Sequence, residues 1–450
     1  MIETDSDFRR FKTENAEGDL FVHVVPTEEQ QHPVANSPSV VFIRNLSTGR
    51  TYYYSFNHPD SLPEVSRQDF FEELDCMSDR LWAIDKKATI QLLGATKVND
   101  VNLVSYLKDN TTVDLSEYDT TSHFLVRSHS VGLGKVGLAV PLMKHLEAFD
   151  ELADDVKKII KKAEIDIPFV RFNDLIIGTL GEMERQGIHV DRELFKKHFE
   201  IDVGEKSITH SQYNVYTSTG RPSNRFGGVN YAALNQTDGS RGCFRSRHGD
   251  KGKIVVIDYT AFHPRIICAL TKYPISVETD IYEYLARLFF KKKEVDETDI
   301  KNAKQLTFRQ LYGGVEDKYA HIKYLANLKT YIDEQWDFFQ KNGHIVTPFF
   351  KRKITTHHIQ DPNPTKIFNY ILQAVEGEIS IPKLKEVQSF LDDKKTRAIL
   401  YTYDAVLYDY HQDDGMETLN EVCKIMSFDG TFPMKTYIGD SYQDVRLFTV

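Results

Sequence analysis

The chain has 450 residues, of which 56 are Lys or Arg and 66 are Asp or Glu, so its formal net charge is −10. With 41% hydrophobic and 27% charged residues, it has the composition of a soluble globular protein. Its length predicts two or three domains, or one large domain with an appendage. The acidic balance argues against a protein that coats nucleic acid by bulk charge alone, although it leaves room for a local basic groove.

The same composition sets the expected compartment. No apolar run is long enough to predict a membrane span, and the charged N-terminus does not predict a secretory signal. The four cysteines lie far apart without CxxC spacing, which argues against a disulfide framework and against a cysteine-based zinc site. We therefore expect a cytoplasmic protein with no membrane partner.

The first roughly 165 residues predict one α/β domain. Three β-rich runs separated by turn signals, LFVHVV, SVVFIRNL and TYYYSF, predict neighbouring strands at the edge of a sheet. Helical patterns follow, interrupted by a short strand at LWAI, and LVSYLKDN is a further amphipathic helix.

The middle of the chain contains a predicted helical stretch followed by a polar stretch. LADDVKKIIKKAEI and FNDLIIGTLGEMERQGIHVDRELFKKHF predict helices, the second interrupted by a glycine-containing turn, and we interpret the lysine-rich face of the first as solvated surface. Residues 204–252 are rich in Gly, Ser, Thr, Asn and Arg, which predicts a long polar surface element.

Two acids stand out in the last 200 residues or so. KIVVIDY is an apolar strand that ends in the acid Asp258, and the strand pair ILYTYDAVLYDY is interrupted by Asp404. A carboxylate on a buried strand is costly unless it is paired or binds a cation, so each acid alone is consistent with a simple ion pair. Together they favour a site for two Mg²⁺ ions of the kind that clamps a phosphoryl transfer.

A basic helix, DIKNAKQLTFRQLYGG, lies between the two acids in the sequence. Lys304, Phe308 and Tyr312 are spaced by four and share one face, with Lys301 a turn earlier. A lysine for phosphate and aromatic side chains for a base would make this a nucleotide-binding face. An amphipathic core helix with snorkelling lysines has the same spacing, so the spacing does not decide between the two.

The order of five motifs, TSTGRPS, DYTAFHPR, KNAKQLTFRQLYGG, NYILQ and YTYDAVLYD, resembles the motif set of family A (polymerase I-like) DNA polymerases. The resemblance extends over roughly residues 165–450, because IDIPFVRFNDLIIGTLGEMERQGIHVD is similar to the family's connector between exonuclease-like and polymerase domains. It implies a template-directed enzyme that adds deoxynucleoside triphosphates to the primer of a primed DNA template. The implied cofactor is a pair of Mg²⁺ ions, with Mn²⁺ as the alternative ion.

The resemblance also implies a role for each motif residue. The implied catalytic and metal-binding groups are Asp258, Asp404 and the backbone carbonyl of Tyr259. The implied nucleotide-binding residues are Arg241, His263, Lys301, Lys304, Phe308 and Tyr312. The implied primer-template contacts are Arg221, Arg265, Asn369, Gln373 and Tyr403. Within these sets, Lys304 would hold the triphosphate, Phe308 would stack on the base and Tyr312 would be the conformational gate.

Three motif positions depart from the family pattern. His263 stands where the family has a glutamate that excludes a 2′-hydroxyl, which leaves open whether ribonucleotides are rejected or tolerated. Tyr403 and Ala405 replace the histidine and glutamate around Asp404, so only two metal carboxylates remain. Ile300 stands where the family usually has an arginine, with Lys301 as its candidate substitute.

A length also departs from the family pattern. Only about 25 residues separate Val190 and Asp191 from Thr217, where the family has a much longer helical thumb that grips the duplex. We expect an exonuclease-like domain over 1–165, a helical connector with a vestigial thumb over 166–216, and a palm and fingers over 217–450, with the fingers at about 275–345. The implied fold class is α/β (α+β), an RNase H-like exonuclease-type domain followed by a polymerase palm/fingers domain with most of the thumb missing.

The missing thumb and the acidic net charge predict a weak grip on DNA. We therefore expect low intrinsic processivity and a processivity or replication partner protein. A phage or phage-like origin, with action in the host cytoplasm, is the expected setting.

The nuclease carboxylates of the exonuclease-like domain are largely missing. His23 and Val25 stand where the first strand would carry DxE, Ala88 replaces another aspartate, and Asp155 is the one remaining acid. A two-metal nuclease cannot hold its ions without converging carboxylates, so we expect no exonuclease activity and a structural or interaction role.

Two other functions stay open at this stage. A degenerate, non-catalytic scaffold of a replication complex is favoured by the missing thumb and the altered residues around Asp404. A polymerase with relaxed sugar selection, which makes RNA or primers, is favoured by His263.

Overall fold

A computed structural model of the protein describes residues 1–28, 31–94, 97–118, 127–130, 135–138, 140–161, 167–224 and 229–448. The chain divides into two compact units, Met1–Asp166 and Ile167–Val450. The boundary predicted between residues 165 and 166 lies outside the described residues.

The first unit is a mixed sheet with helices. Its elements are α1 (Asp5–Glu14), β1 (Leu20–Pro26), β2 (Pro38–Asn45), β3 (Thr51–Ser55), α2 (Arg67–Cys76), β4 (Leu81–Ala83), α3 (Lys86–Leu93), β5 (Asn99–Asp100), α4 (Val101–Asp109), β6 (Arg127–Ser130), β7 (Lys135–Leu138) and α5 (Leu142–Lys161). The strand order of its main sheet is β3-β2-β1-β4-β5. Strands β1, β2 and β3 are antiparallel, whereas β4 runs parallel to β1 and β5 parallel to β4. The strands predicted at LFVHVV, SVVFIRNL, TYYYSF and LWAI are thereby confirmed.

The central strand β1 buries both of its faces. Because successive side chains of a strand point to opposite faces, Leu20 and Val22 join one hydrophobic cluster while Phe21 and Val25 join another. Phe149 of α5 stacks on Phe21 in the second cluster, with 5.3 Å between the ring centroids.

The second unit holds a five-stranded antiparallel sheet and the longest of the described helices. Its elements are α6 (Ile167–Gln186), β8 (Ile188–His189), α7 (Arg192–Phe199), β9 (Ile208–Thr209), β10 (Tyr213–Asn214), β11 (Ser223–Asn224), β12 (Gly252–Tyr259), α8 (Phe262–Leu270), α9 (Ile281–Phe290), α10 (Glu297–Gly313), α11 (Lys323–Asn342), β13 (His344–Val346), β14 (Lys353–Thr355), α12 (Pro364–Phe390), β15 (Arg397–Tyr401), β16 (Ala405–His411), α13 (Met416–Met426), β17 (Met434–Gly439) and β18 (Arg446–Phe448). The mixed α/β fold class predicted from the sequence is confirmed.

Strand β12 lies at the centre of this sheet, whose order is β15-β16-β12-β17-β18. All of its strand pairs are antiparallel. Ile254, Val255 and Ile257 are fully buried, which explains why the strand reads as a continuous apolar run rather than an alternating one. Its register places Asp258 opposite Ala405 of β16 on one side and opposite Lys435 of β17 on the other.

The described residues of 204–252 are anchored to the core, so the prediction of a polar surface element is wrong. Tyr213 and Phe244 are about 1% exposed, and Cys243 is fully buried. The Tyr213 hydroxyl donates to the backbone carbonyl of Tyr401 at 3.0 Å and accepts from the Tyr401 amide at 2.8 Å. A few widely spaced aromatic side chains supply the anchors, and the polar majority around them hides this signal in the composition.

The connection predicted to replace the thumb is short in the structure. Between β8 and β10 it contains α7, a helix of eight residues, and the two-residue strand β9. Among the described residues, no helix combines the length and the apolar character needed to cross a membrane.

A buried ion pair in the second unit predicts a stability effect. Asp409 of β16 is fully buried and accepts from the Nε of Arg247 at 2.7 Å and from its backbone N–H at 3.2 Å. Removing one partner of a buried pair leaves an uncompensated charge, so Asp409→Ala is expected to lower the free energy of unfolding by about 3–5 kcal/mol. Urea unfolding measures this loss.

The matched control for this substitution is Asp413→Ala. Asp413 makes exposed ion pairs with Lys251 and Lys395, which are worth about 1 kcal/mol or less. If the two variants lost equal stability, the Asp409 pair would not anchor the sheet.

Candidate active site

The end of β12 opens into a cavity of about 480 Å³, called here the β12 cavity. The charged and ionisable side chains that line it come from seven separate segments of the second unit. They include Arg221, Asp258, His263, Asp280, Lys304, Glu376, Asp404 and Lys435. This volume lies within the range of pockets that hold one small ligand.

The two predicted acids meet at this cavity. Asp258 is the penultimate residue of β12, and Asp404 lies in the turn between β15 and β16. The backbone N–H of Tyr259 donates to the carbonyl of Asp404 at 2.9 Å, which joins the two segments. Antiparallel pairing therefore brings together two acids that are far apart in the sequence.

The turn that presents Asp404 is strained. Tyr403 has a φ of 76°, in the left-handed region that aromatic residues rarely adopt. The turn is closed by the backbone N–H of Thr402, which donates to the carbonyl of Ala405 at 2.8 Å. Such strain persists where the surrounding structure fixes it, and it clusters at functional sites.

Electrostatics couple the two acids. Burial and the nearby charge of Asp404 raise the pKa of Asp258 to about 7, while Lys304 and Lys435 act in the opposite direction. Burial and the charge of Glu376 also raise the pKa of Asp404. Carboxylates that repel each other in a partly desolvated site are stabilised by a cation between them.

The donor set fits the divalent cations predicted from the sequence. Among the described residues, no group of three or more His, Cys, Asp and Glu side chains is placed to hold a metal ion. Mg²⁺ does not need such a cage, because it is usually held by one or two carboxylates together with substrate phosphates and water. Asp258, Asp404 and the backbone carbonyl of Tyr259 are hard oxygen donors of this kind.

One face of α10 forms a wall of the cavity. Lys304, Phe308 and Tyr312 all line it, as their spacing by four predicts. The rings of Phe308 and Tyr312 stack at 5.9 Å with 8° between their planes. The Lys304 ammonium group lies 5.6 Å from the centroid of the Tyr282 ring. The wall therefore offers a cation next to flat aromatic surfaces.

His263 connects α8 to two other elements. Its Nε2 is 3.0 Å from Oε2 of Glu376, and its Nδ1 is 2.5 Å from the hydroxyl of Tyr312. A carboxylate only accepts hydrogen bonds, so we assign the Nε2 proton to the bond with Glu376. In the neutral ring, Nδ1 then accepts from the hydroxyl of Tyr312.

Glu376 is one of the residues of this site that the sequence motifs missed. It is 1% exposed, and its Oε2 also makes an ion pair with Nε of Arg221 at 3.1 Å. The Arg221 guanidinium lies 3.7 Å from the centroid of the Tyr403 ring. The sequence carried a signal, because Asn369, Gln373 and Glu376 follow the i, i+4, i+7 spacing of one helical face.

Lys435 was also missed. It lies on β17 and is a cavity residue only because the strand register places it opposite Asp258. No local pattern marks it, since the pairing joins segments about 175 residues apart in sequence.

Six predicted contact residues do not line the cavity: Arg241, Arg265, Lys301, Asn369, Gln373 and Tyr403. Arg241 donates to the carbonyl of Leu234 through Nε and Nη2, and its guanidinium lies over the ring of Tyr442. Lys301 is exposed on α10, and Ile300 lines the cavity in its place.

Arg265 has a structural role in α8. It is 6% exposed, and its Nη2 donates to the carbonyls of Val277 and Thr279 at 3.0 and 2.9 Å. Because residues two apart on a helix point about 200° from each other, Arg265 faces away from the side that His263 presents. Asn369 is likewise outside the lining, and its Nδ2 is 3.5 Å from the carbonyl of Tyr312.

Among the residues that the structure describes, no group of three or more acidic or other metal-ligating side chains is placed to hold a metal ion at the nuclease positions of the first unit. His23 and Val25 are buried on β1, and Ala88 lies on α3. Asp155 accepts hydrogen bonds from the Tyr118 hydroxyl at 2.9 Å and from the Lys158 ammonium at 2.6 Å.

No protein family model and no curated protein matches the chain. Among solved structures, the POL domain of Pol1 from M. smegmatis, in complex with DNA primer-template and dNTP, is similar to it with a TM-score of 0.70. The similarity covers 96% of this chain and 97% of that chain at 15% sequence identity, and it shows a shared fold.

Proposed function

We propose that the chain is a template-directed DNA polymerase that adds deoxynucleotides to the 3′ end of a primer. The observation that carries this proposal is the meeting of Asp258, Asp404 and the Lys304 face of α10 at one cavity. The shared fold supports it, because that POL domain was solved with DNA primer-template and dNTP.

Each wall of the cavity has a part in this reaction. Asp258 and Asp404, with the Tyr259 carbonyl, would hold two divalent cations, Mg²⁺ or Mn²⁺. When bound, such ions activate the primer 3′-hydroxyl and neutralise charge on the leaving pyrophosphate. Lys304 binds the triphosphate, Phe308 covers the base, and Tyr312 is held in place by His263.

The Arg221 side of the cavity suits the primer-template. Arg221 and Tyr403 are stacked beside Asp404 and supply a cation and an aromatic ring at the point where the primer end has to lie.

The short α7 connection and the net charge of −10 support a weak grip on DNA. We therefore include low processivity and a partner protein in the proposal. The proposal also includes a first unit without nuclease activity.

The proposal is tested by extending a primed DNA template with deoxynucleoside triphosphates and Mg²⁺. Lys304→Met is expected to lower kcat/KM for the nucleotide by roughly 10- to 150-fold, because a hydrogen bond to a charged group is worth about 1.5–3 kcal/mol.

Lys301→Met is the matched comparison on the same helix. Lys301 lies outside the cavity, so its substitution is expected to change kcat/KM by less than about threefold, the effect of an exposed charge. A wild-type protein that extends no primer, or equal losses in the two variants, would contradict the assignment of this face.

A further inference from the structure

Strand β17 places a second lysine at the floor of the β12 cavity. Lys435 is directly opposite Asp258 in the β12–β17 register, so the two side chains leave the sheet on the same face. Their Cβ atoms are therefore expected to be about 5 Å apart. Asp258 faces Ala405 on its other side, so Lys435 is its only charged cross-strand neighbour among the described residues.

The ammonium group of Lys435 is available to a ligand. Lys435 is exposed and lines the cavity. Within the described part of the chain it makes no ion pair, whereas Lys253 on the neighbouring strand pairs with Asp440. A cation that lines a cavity without a partner is suited to an anionic ligand.

Lys435 and Lys304 approach Asp258 from different elements. Lys304 lies on α10 and Lys435 lies on β17 of the sheet. The positive charges of both favour the ionised form of Asp258 and lower its pKa. The aromatic ring of Phe308 lines the cavity next to Lys304. A ligand that fits this arrangement has an anionic part between the two lysines and a flat part that lies on the Phe308 ring of α10. A nucleoside triphosphate has this division of charge.

We propose that Lys435 binds the phosphates of the incoming nucleoside triphosphate together with Lys304, an inference that rests on the proposed polymerase function. Lys304 holds them from the helix and Lys435 from the rigid sheet. The same contact makes Lys435 a binding residue for the pyrophosphate product.

A purely structural role of Lys435 makes a different prediction. If it only neutralised Asp258, its removal would leave triphosphate affinity unchanged and would reduce the Mg²⁺ concentration needed for activity, because a competing positive charge is gone. If it binds phosphate, its removal weakens triphosphate and pyrophosphate binding and leaves nucleoside monophosphate binding nearly unchanged.

The test compares Lys435→Met and Lys435→Arg with the wild type. Lys424→Met is the control, since Lys424 is exposed on α13 and forms a surface ion pair with Glu421. Equilibrium affinity is measured for deoxynucleoside tri-, di- and monophosphates on a dideoxy-terminated primer, and pyrophosphate is tested as an inhibitor. Lys435→Met is expected to weaken triphosphate binding by about 10-fold or more, with Lys435→Arg and Lys424→Met within about threefold of wild type.

A labelling experiment on the wild type does not depend on any variant folding. Pyridoxal phosphate with borohydride should label Lys435, as mapped by mass spectrometry, and a deoxynucleoside triphosphate should protect it. Protection by primer-template alone, without protection by the triphosphate, would assign Lys435 to the DNA backbone and overturn the proposal. Unchanged triphosphate affinity in a folded Lys435→Met variant would also overturn it.

The two levels of the proposal fail separately. If the wild type extends no primer, the proposed function is lost. If the wild type extends primers and Lys435→Met binds triphosphate normally, only the role of Lys435 is lost.

Discussion

Replacing Asp258 or Asp404 by Asn is expected to abolish nucleotide addition and, in the same protein, to increase thermal stability. The amide keeps the size of the side chain but removes a charged oxygen donor from one of the two carboxylates that line the cavity at the end of β12 and in the adjoining β15–β16 turn. Stabilisation of transition-state charge by bound metal is worth several kcal/mol, so we expect a loss of at least about 10³-fold in primer extension.

The gain in stability follows from the sign of the pKa shift. Because the pKa of Asp258 is raised from its usual 3.8 to about 7 in the folded protein, its favourable contribution is complete below about pH 4 and is lost as the pH rises through 7. Asn cannot ionise, so Asp258→Asn should melt at nearly the wild-type temperature at pH 4 and above it at pH 8. Thermal unfolding in EDTA at both pH values measures this difference.

Asp250→Asn is the control for both effects, because Asp250 is exposed and outside the cavity. It should keep wild-type activity and melting temperature. Addition of Mg²⁺ at pH 8 should raise the melting temperature of the wild type and so reduce the difference in melting temperature between the wild type and Asp258→Asn. An active Asp258→Asn variant, or one that is less stable than wild type at pH 8, would contradict the account of this site.

Glu376→Ala is expected to have the second-largest effect. The buried carboxylate holds Arg221 and His263 at once, and its removal leaves the Arg221 charge without its partner. Breaking a buried pair in this way costs about 3–5 kcal/mol of unfolding free energy. Primer extension should fall by at least about 10-fold, since Tyr312 loses its support from His263 and Arg221 loses its anchor beside Tyr403.

Glu376→Gln separates charge from shape. The amide oxygen can still accept a hydrogen bond from His263 but cannot balance the charge of Arg221. We therefore expect the stability and the activity of Glu376→Gln to lie between those of the wild type and those of Glu376→Ala. Glu386→Ala on the same helix removes an exposed carboxylate that pairs with Lys383, and it should change stability by less than about 1 kcal/mol. Urea unfolding and primer extension of the four proteins check this order. Equal behaviour of Glu376→Ala and Glu386→Ala would show that Glu376 supports nothing at the site.

Much of the fold could be predicted because the local signals were strong. β12 reads as an unbroken apolar run since it is covered on both faces, and α10 shows its cavity face in the spacing of Lys304, Phe308 and Tyr312. The anchoring of residues 204–252 could not be predicted from composition, because a few aromatic residues such as Tyr213 decide it.

Site residues could be predicted where they belong to a motif on one helix or strand. They could not be predicted where their position depends on how distant segments pack together. Glu376 lies in the middle of a 27-residue helix, and only its phase with Asn369 distinguishes it from an ordinary helical glutamate. Lys435 depends on a strand register between distant segments. Arg265 stands at a motif position, but the phase of α8 turns it into the protein.

The central claim is that a template directs the addition, and a templating-base exchange tests it most directly. Four primed DNA templates that differ only in the first unpaired base are each offered all four deoxynucleoside triphosphates with Mg²⁺. The account predicts that the wild type adds the complementary nucleotide to each template and that Asp258→Asn adds none. Addition of the same nucleotide to all four templates, or no addition by the wild type, would contradict it.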